Sequence, residues 1–239
     1  MIDLHSHILA GVDDGAATMR EARTLARAAA AEGIHAIAAT PHVRADYPTT
    51  AERMERGVAE LRRDLADEGI PIEILHGGEI EVSFMWEIPP DELVRFTLAQ
   101  SGRYLLLEFP YVGWPRSLDL AISTLRGRGL SPLLAHPERN PEVQDRPDRL
   151  SAAVASGAFV QVTAASLDGR IGAAARRAAE QLVALRLVHV IASDAHGPQV
   201  REAGMATAAS ALGDPGLARY LTEDAPAAIV AGDPLPPMP

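Results

Sequence analysis

Residues 104–110 read YLLLEFP, a short apolar run that closes on an acid, Glu108. A run without polar alternation fits a strand buried on both faces, as in a parallel sheet. The same shape recurs at Ile2–His5, Ala36–Ala39, Ile72–Leu75, Pro132–Ala135, Phe159–Val162 and Val188–Ala192. Between these runs the apolar positions change period. Met19, Ala22, Leu25, Ala26 and Ala29 fall on one helical face. Further helices are predicted over Ala51–Asp67, Ser117–Arg128, Arg149–Ser156, Ala173–Leu185 and Gln199–Leu212. Thr18 with Glu21, and Thr49 with Glu52, have capping-box spacing at two helix starts. Strands alternating with helices in this way predict an α/β fold, closed or nearly closed into a barrel. The 239 residues fit a single domain, 1–239, with no composition shift and only Asp233–Pro239 reading as a frayed, flexible tail.

The residues at the close of each run are more informative than the runs themselves. The first run ends at His5 and His7, the second at His42 in TPH, and the third at Glu79 in HGGE. The fourth ends at Glu108, the fifth at His136 in AHPERN, and the seventh at Asp194 and His196 in SDAH. In a parallel barrel those strand ends converge on one face, where such enzymes keep their active sites. Side chains two apart on an extended segment point the same way, so His5/His7 and Asp194/His196 can each present a forked pair. A buried cluster of carboxylates and imidazoles is costly unless cations accompany it, so the register predicts a metal site. Asp13 and Asp14 are adjacent, their side chains diverge, and one metal takes only one of them, leaving the other to accept from loop backbone or face solvent. His35, His76 and His189 stay out: His35 precedes its strand, His76 belongs to the Gly-Gly turn, and His189 has the wrong parity and should face the helix layer.

Composition narrows the chemistry. A net charge of −10 and a pI near 5.2 argue against a broad nucleic-acid or phospholipid surface. With no cysteine, thiolate ligands, disulfides and a cysteine nucleophile are excluded. No secretory signal is visible at the start, and residues 151–167 are too polar for a membrane span. A cytoplasmic protein is expected.

The stretches DLHSHILAGVDDG, ATPH, GGE, LLEFP, AHPERN and VIASDAH resemble the PHP (polymerase and histidinol phosphatase) superfamily. More narrowly, they are similar to the bacterial metal-dependent protein-tyrosine phosphatases of capsule and exopolysaccharide operons. The resemblance implies a distorted seven-stranded (β/α)7 TIM-like barrel with three divalent metal ions. Manganese is the first candidate, with iron or zinc also compatible with the donor set. In such a site His5, His7, Glu79 and Asp194 hold one metal, and Glu79 bridges to a second completed by Glu108 and His136. Asp14, His42 and His196 hold the third. Arg139 and Arg201 match the phosphate-contacting positions, and Thr163 stands where relatives often carry Asn. Tyr111 and Trp114 follow Glu108 and are read as loop packing, with flanking of an aryl group as the alternative.

The expected activity is therefore hydrolysis of phosphotyrosine on a protein, with the tyrosine-rich tail of a bacterial tyrosine autokinase as partner and polysaccharide assembly as the regulated process. Rival readings are a small-molecule phosphatase, such as one acting on histidinol phosphate, and a metal-binding regulatory module without turnover. Neither nucleic acid nor membrane insertion is expected, and oligomeric state is left open.

Overall fold

A computed structural model of the chain describes residues 1–197 and 203–239. The strands are β1 (Ile2–Ser6), β2 (Ala36–Ala39), β3 (His42–Arg44), β4 (Tyr47–Pro48), β5 (Glu73–His76), β6 (Glu79–Glu81), β7 (Tyr104–Glu108), β8 (Ser131–Ala135), β9 (Phe159–Thr163) and β10 (Val190–Ala192). All seven expected strands are present within two residues of their predicted bounds. They do not form one continuous ring. A three-stranded sheet has the order β1-β2-β5, and a seven-stranded sheet has the order β10-β9-β8-β7-β6-β3-β4. Every pairing is parallel except the β3–β4 hairpin.

The division has a local cause. Between β2 and β3 the chain passes Thr40-Pro41, where proline has no N–H to give a ladder. Between β5 and β6 it passes Gly77-Gly78. A Cβ on Gly78 would lie 2.5 Å from the Phe96 ring, and one on Gly77 2.9 Å from Thr40 Cγ2, so the backbone goes where no side chain fits. Beyond β10, Asp194 N–H donates to His5 O and His7 N–H to Ala195 O, each at 2.8 Å. These bonds tie β1 of the small sheet to the far edge of the large one.

Side chains alternate between two cores. Leu105, Leu107, Leu134, Val160, Val162 and Ile191 pack outward among helices. Ile2, Leu4, Tyr104, Leu106, Leu133, Ala135, Val190 and Ala192 pack together on the other face. With a period of two, the next inward positions along β7 and β10 are Glu108 and Asp194. In β1 the register shifts between Asp3 and Ser6, which lets His5 turn inward after Leu4.

The predicted helix Ala51–Asp67 is found with those bounds, and the first helix spans Met19–Ala31. Thr18 caps the latter, accepting from Glu21 N–H. The other cap is Thr50 rather than Thr49: Thr50 accepts from Arg53 N–H, while Thr49 is buried and its N–H bonds Tyr47 O. The helix expected from Gln199 is seen at Met205–Ala211, and its predicted start lies outside the described residues. The proline-rich end, expected to fray, is held. Tyr104 Oη donates to Asp233 O at 2.6 Å and Tyr220 Oη to Pro236 O at 3.1 Å, while Leu235 and Met238 pack on the core. Among the described residues no helix is long and apolar enough to cross a membrane.

Candidate metal centre

All nine predicted ligands come together, in four overlapping groups: His7/Asp14/His42/His196, His5/Glu79/His136, His5/His7/Asp194 and His42/Glu79/Glu108. Eight are buried and Asp14 is exposed. His136 groups with His5 and Glu79, whereas Glu108 groups with His42 and Glu79. Two of the nine hold left-handed backbone, His136 at φ 39° and Asp194 at φ 51°. Such non-glycine conformations cost about 1–3 kcal/mol each and persist where surrounding contacts over-determine them.

His5 and His7 show what the centre is built to hold. His5 Nδ1 lies 3.0 Å from Gln161 Oε1, and His7 Nδ1 lies 2.7 Å from Asp13 Oδ2. Both outer partners are acceptors, so each Nδ1 carries a proton, and a cation in the centre would meet neutral rings with Nε2 turned inward. Those two nitrogens are 3.2 Å apart, and each lies 3.3–3.4 Å from Glu79 Oε2 and from Asp194 Oδ1. Two imidazole nitrogens and two carboxylate oxygens thus converge on one point. Donors about 2.0–2.2 Å from a common cation in tetrahedral arrangement are separated by about 3.3–3.6 Å, close to these spacings.

The neighbouring groups repeat the pattern. His42 Nδ1 is 2.9 Å from Glu79 Oε2 but lacks hydrogen-bond geometry, and both atoms are buried without a hydrogen bond. Glu108 Oε2 is likewise buried without one, 3.7 Å from His42 Nδ1. Asp14 Oδ1 reaches His42 Nε2 at 3.4 Å and His196 Nε2 at 3.5 Å. His136 Nε2 meets Glu79 Oε1 at 2.8 Å. A residue set with this many orphaned buried donors and acceptors fits divalent cations.

The electrostatics agree. Burial works against charge on His5, yet Glu79 and Asp194 carry its pKa upward. Burial likewise opposes charge on His7, and Asp13, Asp194 and Glu79 override it. Glu79 is held well below the usual carboxylate range: burial raises it, but His5, His136 and His42 outweigh that. Glu108 is pushed up to about 7 by burial and by neighbouring Glu79. The centre demands positive charge at its middle.

Arg139 enters from the HPER turn, and its Nη1 donates to Asp194 Oδ2 at 2.6 Å. Its guanidinium lies 4.9 Å from the ring centroid of Tyr111, which stacks on His136 at 5.5 Å and 11°. Tyr111 therefore stands against the centre. Trp114 packs the loop as expected, edge-on to Phe109 at 5.5 Å. Arg201 lies outside the described residues. Among the described residues, His35, His76 and His189 belong to none of the metal-capable groups.

Three participants escape a reading of the sequence. Gln161 is the amide inside the apolar run FVQVT, and its inward parity was the available signal. Asp13 was expected to bond loop backbone or face solvent. It does accept from the N–H of Gly15 and of His42, but its side chain is buried and its main partner is His7. Arg44, whose Nη1 donates to Glu108 Oε1 at 2.9 Å, arrives on the unpredicted β3–β4 hairpin.

Residues 1–225 match the family described as capsular polysaccharide synthesis, CpsB/CapC. The chain belongs to the CpsB/CapC family. It is 36% identical over 203 residues to the tyrosine-protein phosphatase YwqE of Bacillus subtilis, covering 84% of this chain and 79% of that protein. It is 33% identical over 199 residues to the putative tyrosine-protein phosphatase CapC of Staphylococcus aureus, covering 82% and 77%. The crystal structures of YwqE and of Streptococcus pneumoniae CpsB, described as unique metal-dependent tyrosine phosphatases, supply a fold match. Its TM-score is 0.91 at 34% identity, covering 100% of this chain and 99% of the other. A resiniferatoxin-binding protein from Rhodobacter sphaeroides shares the fold alone, at TM-score 0.56 and 14% identity. The chain thus has the mixed α/β fold of this family.

Proposed function

We propose that this CpsB/CapC-family chain is a metal-dependent protein-tyrosine phosphatase acting in polysaccharide assembly in the cytoplasm. One observation carries it: the His5 and His7 Nε2 lone pairs, fixed inward by Gln161 and Asp13, converge with Glu79 and Asp194. Its relatives' phosphatase names support the same reading. We take the two sheets, bridged through Asp194 and His7, to act as one distorted seven-stranded barrel and one domain. Three divalent ions, manganese first, would be held by His5, His7, Glu79 and Asp194; by Glu79, Glu108 and His136; and by Asp14, His42 and His196.

Bound there, such ions supply Lewis acidity and a water acidic enough to act as nucleophile near neutral pH. The chain's own residues do the rest. Glu79 and Asp194, both buried, would hold the cations by their negative charge. Arg139 commits one nitrogen to Asp194 and lines a pocket with Tyr111 and Gln144, where its other donors suit phosphate oxygens. Arg201 is assigned the same task from the resemblance. The phenolate leaving group, with a pKa of about 10, departs with little proton donation. No cysteine is available for a phosphoenzyme. The substrate fitting this chemistry is a phosphotyrosine-bearing segment, such as a bacterial tyrosine kinase tail.

The test is phosphate release from a phosphotyrosyl peptide and from histidinol phosphate. Activity should survive iodoacetamide, vanish with a strong chelator and return with manganese, and the peptide should have the higher kcat/KM. Full activity in metal-stripped protein overturns the mechanism, and preference for histidinol phosphate overturns the substrate.

A further inference from the structure

Arg44 is engaged on three sides, and none of them is solvent. Its Nη1 donates to Glu108 Oε1 at 2.9 Å, and its Nε faces Asp46 Oδ1 at 2.9 Å. Its guanidinium lies 5.3 Å from the ring centroid of Tyr47, and that ring stacks on His42 at 5.8 Å and 21°. The Arg44 side chain is 20% exposed, the Glu108 side chain 4% and the Asp46 side chain 68%. The Asp46 contact is therefore screened by water and holds little. The Glu108 contact is not.

Glu108 has two oxygens with different surroundings. Oε1 accepts a hydrogen bond from Arg44 Nη1, whereas Oε2 is buried without a hydrogen bond and faces His42 Nδ1 at 3.7 Å. One oxygen is anchored, so the other is aimed. The β3–β4 hairpin makes this possible. Val43 pairs with Pro48 and Arg44 with Tyr47, which folds the chain back just past His42 and brings a cation to the flank of β7.

Resting on the metal reading above, we propose that Arg44 is a positioning residue of the metal centre. It fixes the Glu108 carboxylate so that Oε2 is presented, beside Glu79, to the divalent cation that these two acids share. An arginine suits the task because its planar, permanently charged donors hold a carboxylate in one orientation. Arg44 is assigned to Glu108 rather than to the substrate phosphate: its Nη1 is committed to Glu108, its Nε faces Asp46, and one face is against Tyr47. In that respect it differs from Arg139, which lines a pocket.

The experiment titrates manganese into metal-free wild type, Arg44→Ala and Arg44→Lys by calorimetry, and measures kcat and KM for p-nitrophenyl phosphate at saturating manganese. Arg44→Ala should lose about 10- to 100-fold in affinity at one site and leave the others unchanged, as expected when a ligand's supporting partner is removed. Arg44→Lys, which keeps the charge without the planar fork, should fall between. KM at saturating manganese should stay within about twofold of wild type. Unchanged manganese affinity in both variants overturns the proposal. So does a KM raised by about tenfold at unchanged affinity, which would assign Arg44 to the phosphate instead. Where Arg44→Ala does not fold, Arg44→Lys decides alone by the same measure. Wild-type protein that takes up no manganese would overturn the metal reading itself, a result separable from any difference among the variants.

Discussion

His7 Nδ1 lies 2.7 Å from Asp13 Oδ2, and this contact determines which nitrogen His7 turns to the centre. The Asp13 side chain is buried, and its second oxygen accepts from Gly15 N–H at 3.0 Å. Burial alone would raise its pKa, but the His7 bond outweighs burial and takes it down to about 2. Its neighbour Asp14 is 42% exposed at the side chain and reaches His42 and His196 directly. Two adjacent acids thus have different surroundings: Asp14 stands beside two imidazoles of a metal-capable group, and Asp13 orients His7.

The variants should separate along that line. Asp14→Ala should release one metal and cut turnover strongly. Asp13→Ala should retain all metal sites but weaken the one containing His7 by about 10- to 100-fold, because the imidazole loses its tautomer and orientation. Asp13→Asn, which keeps an acceptor, should restore part of that loss. Metal titration of the three variants checks this. Asp13→Ala with wild-type affinity would reduce Asp13 to a loop anchor.

Much of this centre was legible because strand parity is local. Once Tyr104 and Leu106 are known to point inward, Glu108 must follow, and Val190 and Ala192 commit Asp194 in the same way. What was not legible depends on pairing across the chain. Gln161 supports His5 from a strand 156 residues away, and nothing near FVQVT says which imidazole it will meet. The β3–β4 hairpin contains only five residues of strand, too few to show a period, so Arg44 went unseen. The division into two sheets was hidden for another reason: it arises at Thr40-Pro41 and Gly77-Gly78, whose closest neighbours, Ser6, Leu98 and Phe96, come from elsewhere in the chain.

Arg139→Ala should do more than remove a phosphate contact. Its 2.6 Å bond to Asp194 supports a metal-capable carboxylate that itself sits in left-handed backbone. Turnover should fall by about 100- to 1,000-fold, as for loss of a charge-stabilising donor. Metal retention should also fall. Arg201→Ala, assigned only to phosphate, should lower turnover with metal content intact. Metal analysis beside kcat for both variants checks the contrast, and equal metal content in the two would confine Arg139 to phosphate.

Gly15→Ala tests the close approach behind His7. A Cβ at residue 15 would lie 2.0 Å from His7 O and 2.4 Å from His7 Cβ, distances that force the backbone apart. The expected cost is at least about 1–3 kcal/mol, the range for overpacking, and it should be accompanied by weaker metal binding because His7 moves. Gly69→Ala is the comparison, since a Cβ there meets nothing within 4 Å and only its φ of 64° is disfavoured. Urea unfolding with and without manganese checks both. Loss of stability in Gly15→Ala at unaltered metal affinity would show that the loop yields without disturbing His7.

His189 gives the fold a pH dependence separate from the metal centre. Its Nδ1 accepts from Val160 N–H at 3.2 Å, and its ring meets Phe159 edge-on at 5.0 Å and 89°. Burial pushes its pKa down to about 4 from 6.5, only partly opposed by the Leu187 backbone. The folded protein therefore keeps this imidazole neutral in a range where the unfolded chain protonates it. Between about pH 6.5 and about pH 4 the unfolded state binds the extra proton, so stability falls as pH falls. Above that window His189 contributes no slope, and below it the loss is complete. At about 1.4 kcal/mol per pH unit the full loss is at most about 3.5 kcal/mol. His189→Gln keeps a side-chain acceptor for Val160 N–H but cannot titrate. Carboxylates elsewhere titrate in the same window, so the informative quantity is the wild-type slope minus the variant slope. Urea midpoints at pH 7.5, 6 and 5 should fall more steeply for wild type than for His189→Gln, with the gap closing at pH 7.5 apart from a constant offset. Parallel slopes for the two proteins would mean that His189 takes up its proton in the folded state as readily as in the unfolded chain.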